Sequence, residues 1–324
     1  SSGKMSGIGL TMEGIGHSPM VYAMMFENVW RDEAIDKDEF IAEYLKGRYG
    51  RHDRKAFEAW KILAASVYEN TVNNGGQESI ITGRPSFKEN PGGTTNTRKH
   101  YENQDLVRAW KMLVECADSL KESDGFRYDM VDVTRQVLAN HASVLQQKVA
   151  SRYEAKDIDG FRKASEEFLG LIDDLDRLLG TREEFLLGRW LEDAREIGET
   201  QQESDLYEHN ARNQITLWGN KDCRIRDYAC KHWNGMMSGF YRPRWERFFD
   251  ACLTAMSAGM ELDYDAFVED SKDWEWQWTL GKEEYMDEPE GDEIVECMKI
   301  WDKYGEDVML HDGLEYELET EAYV

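Results

Sequence analysis

From residue 19 onward the apolar side chains recur three and four positions apart, and strict strand-like alternation is scarce, so the chain is committed mostly to helix. Asp36, with Glu39 three positions on, can cap a helix whose apolar face is Phe40, Ile41, Tyr44 and Leu45. Asp53 opens a second, carrying Phe57, Trp60, Ile62, Leu63 and Val67. Residues 127–156 read as one long helix and 157–179 as the next. Thr181-x-x-Glu184 and Thr200-x-x-Glu203 have the spacing of capping boxes, which puts helix starts near Arg182 and Gln201. Pro243 suits a first helical position and begins a helix containing Trp245, Phe248, Phe249 and Leu253. No period repeats along the chain, so the helices form a bundle and not a regular solenoid.

The first 18 residues follow a different pattern. A short apolar stretch broken by glycines (residues 7–11, GIGLT) runs into a loop holding Glu13, and Ser18-Pro19 then opens a helix. Strand, tight loop and helix form a βα unit, and in barrels of such units the catalytic groups sit at the C-terminal ends of strands. Read without this context, Glu13 is one of 65 acidic residues in a terminal loop. Residues 72–103 are polar and rich in glycine, asparagine and threonine, which predicts a long loop.

Charge narrows the partners. The net charge is −26, and residues 281–324 hold 16 acidic against 3 basic side chains, half of that imbalance. Such a surface disfavours nucleic acid and anionic lipid as partners. No run of about 18 apolar residues occurs, so no membrane span is expected. The five cysteines (Cys116, Cys223, Cys230, Cys252, Cys297) show no CxxC spacing, and no two of the seven histidines lie at metal-ligand spacing, so neither a disulfide framework nor a metal site is expected. The absence of an Asn-x-Ser/Thr sequon fits an unglycosylated source.

Five motifs, in order, then suggest a family. They are residues 127–136 (RYDMVDVTRQ), 185–192 (FLLGRWLE), 210–219 (NARNQITLWG), 227–231 (DYACK) and 241–245 (YRPRW). Together with residues 7–31 this series resembles the α-N-acetylglucosaminidases of glycoside hydrolase family 89. The resemblance implies a mainly α fold: a helical bundle domain over 32–324, ending in an acidic tail, preceded over 1–31 by the last strand and helix of a (β/α)8 barrel. It also implies an upstream barrel portion of the same enzyme as a partner. The substrate class would be a glycan with terminal α-linked N-acetylglucosamine, hydrolysed without metal or organic cofactor. The compartment would be periplasmic or extracellular for a bacterial source, or lysosomal.

Retaining hydrolysis needs two carboxyl groups about 5–5.5 Å apart, one attacking the anomeric carbon and one protonating the leaving oxygen. By resemblance Glu13 matches the nucleophile. The family's acid/base glutamate lies on an earlier barrel strand, and nothing here matches it. Trp218, Ile225 and Tyr228 match positions that wall the sugar pocket; an indole face suits sugar C–H groups and a phenol suits a ring hydroxyl. Trp218 and Tyr228 are also residue types that commonly fill cores, and a non-catalytic carbohydrate-binding or scaffold module is the alternative reading. On a helix Trp274 and Trp278 align while Trp276 points elsewhere, which predicts packing and not a sugar platform. Asp129, Asp132 and Arg135 are expected to form a supporting ion-pair network.

Overall fold

The computed structural model describes residues 6–11, 17–69, 79–88 and 97–315. Its helices in chain order are α1 (Pro19–Val29), α2 (Lys37–Tyr49), α3 (Arg54–Ala65), α4 (Asn103–Glu115), α5 (Ala117–Leu120), α6 (Asp124–Glu154), α7 (Ile158–Leu179), α8 (Leu187–Glu196), α9 (Gln201–Gln214), α10 (Arg242–Ser257), α11 (Tyr264–Thr279) and α12 (Glu293–His311). No strand occurs among the described residues. The expected strand at 7–11 is absent, and that stretch is largely exposed. A strand needs a neighbour to complete its hydrogen bonds, and no described segment offers one there.

The helix starts follow from side-chain chemistry. Asp36, Asp53, Ser123, Asp157, Thr200, Asp263 and Asp292 each accept a hydrogen bond from the backbone N–H three residues on. Each such cap is worth roughly 1 kcal/mol. Thr200 and Glu203 form the full reciprocal box. Thr181 does not: its hydroxyl donates to the carbonyl of Leu178, and only a short 3-10 turn, Glu183–Phe185, follows. Tertiary bonds override the motif there. Arg182 is drawn to Asp124, Glu184 and Glu293, and Asn234 exchanges backbone bonds with Phe185 and Leu187.

Helices α6 and α7, joined by three residues, form the antiparallel centre. At 31 residues α6 runs about 46 Å. Helices α4 and α12 pack on α6, and α10 packs on α7. Asp132 pairs with Arg135 at 2.7 Å as expected, but Asp129 turns away to accept both prongs of Arg48 and the Tyr49 hydroxyl. The FLLGRWLE motif owes its glycine to a close approach. A Cβ on Gly188 would stand 2.3 Å from the carbonyl oxygen of Met286 and 2.4 Å from that of Tyr285. Pro243 is not at a fresh helix start. One π-helical turn, Met237–Tyr241, hands over to α10, and a proline without N–H is tolerated at such a junction.

Residues 79–86 depart most from expectation. They lie in the segment read as a long polar loop, yet they are threaded through the core, with Ile81 and Thr82 fully buried. Four of their carbonyls accept from side chains instead of a ladder. Trp245 Nε1 donates to Ile81 at 3.0 Å, Arg244 Nη2 to Thr82 at 2.7 Å, the Tyr264 hydroxyl to Pro85 at 3.0 Å and Gln146 Nε2 to Ser86 at 2.8 Å. With those groups paired, burial of irregular backbone carries little penalty.

Candidate functional site

The loop from α9 to the π-helical turn carries Trp218, Ile225 and Tyr228. Just past α9, Trp218 N–H donates to the Asn213 carbonyl at 2.9 Å, and Asn213 Nδ2 donates to that of Gly219 at 2.7 Å. These bonds close the helix end on a left-handed residue, Trp218, at φ 57°. Asn220 shapes the next turn by accepting from the N–H of Asp222 at 3.0 Å. Lys221 and Lys272 tether that turn and α11 together through Asp273 and Asp222. Further on, Asp227 (φ 63°) and Cys230 (φ 47°) are left-handed too. Three of the four non-glycine residues with positive φ among the described residues thus sit within this loop. Each costs about 1–2 kcal/mol, and such strain gathers where backbone direction matters to function.

The structure brings Trp218 and Tyr228 together. Their rings meet edge to face, with centroids 5.8 Å apart at 77°, while remaining 38% and 37% exposed. Ile225 is 47% exposed on the same loop, and its carbonyl accepts the N–H of Tyr228. None of the three is core filling. The opposite holds for Trp274 and Trp278, which both pack on the Phe240 ring, with Trp276 turned to His209, as the helical reading predicts. Glu13 lies outside the described residues.

Beneath the loop lie four buried charges for which the sequence reading had no role: Arg84, Asp227, Arg244 and Glu275. Arg244 donates to Asp227 at 2.9 Å and to Glu275 at 3.2 Å, and Arg84 grips Glu275 from the other side. Burial pushes the Asp227 carboxyl up, against the pull of Arg244. Asp227 and Arg244 stand in the DYACK and YRPRW motifs, and that was the available signal. Glu275 was masked by the tryptophans on either side of it.

The neighbouring groups are poor proton carriers. Burial pushes the Cys230 thiol up to about 11, and its sulfur lies 3.0 Å from the Thr82 hydroxyl. Burial, then the Arg135 guanidinium, holds His232 well below its usual value and lowers Lys231. The loop presents its rings at the surface, with Asp227 engaged below by Arg244. Among the described residues no group of three His, Cys, Asp or Glu side chains is arranged to hold a metal, and no helix is long and apolar enough to cross a membrane.

Residues 40–303 match the family model of the alpha-N-acetylglucosaminidase (NAGLU) C-terminal domain. The human alpha-N-acetylglucosaminidase is 33% identical over 304 residues, which is 93% of this chain and 40% of that protein. A family 89 glycoside hydrolase from Clostridium perfringens, solved with 2-acetamido-1,2-dideoxynojirmycin, superposes with a TM-score of 0.80 at 28% identity, covering 88% of this chain and 33% of that one. A variant of a Clostridium perfringens enzyme in complex with its substrate GlcNAc-alpha-1,4-galactose superposes equally well, with a TM-score of 0.80 at 27% identity over 90% of this chain and 34% of that one. The chain therefore spans well under half the length of these relatives. By sequence and by fold, it belongs to the alpha-N-acetylglucosaminidase C-terminal domain family of the family 89 glycoside hydrolases.

Proposed function

We propose that this chain is the C-terminal portion of a retaining exo-glycosidase that removes terminal α-linked N-acetylglucosamine. In this reading residues 1–31 complete a catalytic barrel, residues 32–324 are the helical domain, and the loop of Trp218, Ile225 and Tyr228 walls the sugar pocket. The observation that carries it is the exposed Trp218–Tyr228 pair on a strained loop. An aromatic corner held open to solvent at a backbone cost suits sugar C–H faces. Helix α1 and its C-cap support the barrel contact: Val21, Met25 and Phe26 on the helix and Trp30 just past it are 38–85% exposed, an apolar surface suited to packing against a barrel.

In the proposed chemistry the Glu13 carboxylate attacks the anomeric carbon as the glycosidic bond breaks. A second carboxyl, from the barrel, delivers its proton to the leaving oxygen. The same group then removes a proton from the water that hydrolyses the glycosyl ester, and Glu13 is released. The test is Glu13→Gln in the full-length enzyme, assayed with an aryl α-N-acetylglucosaminide. The amide keeps the shape and removes the attacking charge, so turnover should vanish while the fold persists. Retention of more than a few per cent of turnover would overturn the assignment. A second reading, a sugar-binding module without catalysis, draws on the same aromatic pair, and turnover lost in Glu13→Gln would exclude it.

A further inference from the structure

Asp227 is where the buried charge cluster meets the exposed aromatic loop. Its N–H donates to the Thr216 carbonyl at 2.7 Å, on the arm that leads to Trp218. Its carboxylate accepts from Arg244 at 2.9 Å, and the next residue is Tyr228. One residue thus ties both ring-bearing arms to the floor of the loop. Arg244 is a fixed anchor: 1% exposed, it also donates to Glu275 and to the Thr82 carbonyl, with its guanidinium 4.9 Å from the Phe240 ring centre. A planar fork bound at several points holds direction as a lysine would not. For stability alone such a cluster gains little, because desolvation offsets most of the attraction. What it supplies is orientation, imposed on a left-handed backbone.

We propose that Asp227, held by Arg244, is a positioning residue for the sugar-facing rings, so that ion pairing in the core sets affinity at the surface. The proposal rests on Trp218 and Tyr228 being the sugar wall. Neither Asp227 nor Arg244 touches the sugar; both act through the angle between the rings.

The experiment is a double-mutant cycle in the full-length enzyme, with 2-acetamido-1,2-dideoxynojirmycin as the titrated probe and Tm measured alongside. Asp227→Asn should weaken probe binding about tenfold. In a Trp218→Gly background the same change should weaken it by clearly less, since one of the two rings it orients is gone. Asp227→Gly keeps the left-handed backbone without the ion pair and should behave as Asp227→Asn does; it also covers the case in which the asparagine variant fails to fold. The positioning role is overturned if Trp218→Gly weakens binding while Asp227→Asn only lowers Tm, or if the two effects add in full. If Trp218→Gly leaves probe affinity unchanged, the pocket reading itself fails, and the positioning role with it.

Discussion

Arg84 and Glu275, 191 positions apart, meet in a two-pronged ion pair with side chains only 5% and 0% exposed. This pair fastens the buried 79–86 segment to α11, and the candidate loop rests on both. Removing one partner leaves a charge without compensation, so Glu275→Ala should cost about 3–5 kcal/mol. Arg84→Met with Glu275→Leu should cost less than Glu275→Ala alone, because Arg244 still has Asp227. Urea denaturation of the three variants checks the order; a double variant weaker than the single would contradict it.

The Gly188 contact gives a second expectation. Gly188→Ala presses a methyl against two backbone carbonyls and should cost about 1–3 kcal/mol. Gly170→Ala, on α7 where an added Cβ meets nothing within 4 Å, should gain up to about 1 kcal/mol. Thermal melts of the pair should move in opposite directions.

His141 supplies a pH dependence. Burial, only partly offset by Asp307, pushes its imidazole down to about 4 from an ordinary 6.5. Between those values the unfolded chain binds a proton that the native chain refuses, so stability falls as pH falls. The effect is about 1.4 kcal/mol per pH unit. Asp174, held below the usual carboxylate range by Lys303 and Tyr304 despite its burial, loses its contribution only below its ordinary 3.8, outside this window. His141→Leu should therefore lose about 2–3 kcal/mol less than wild type between pH 7 and pH 4.5, read from urea midpoints. Equal losses would contradict it.

Much of the bundle was legible in the sequence because caps and apolar periodicity are local. Asp36, Asp53, Asp157 and Thr200 start their helices where their spacing predicts. Three features were not legible, and all depend on distant partners. The 79–86 segment reads as polar loop because its burial relies on donors from Gln146, Arg244, Trp245 and Tyr264. Thr181 fails as a cap because Arg182 and Asn234 redirect the chain. Strain at Trp218, Asp227 and Cys230 has no glycine to announce it.

The central claim is that Trp218 serves recognition and not the core, and Trp218→Gly in the full-length enzyme tests it most directly. Glycine accepts the left-handed backbone, so relieved strain offsets part of the packing lost with a ring that is already 38% exposed, and stability should fall by no more than about 2 kcal/mol. Affinity for an N-acetylglucosaminide should fall by about 1–3 kcal/mol with the loss of the ring. Unfolding by about 3–5 kcal/mol, the cost of removing a core tryptophan, with affinity unchanged would contradict the account.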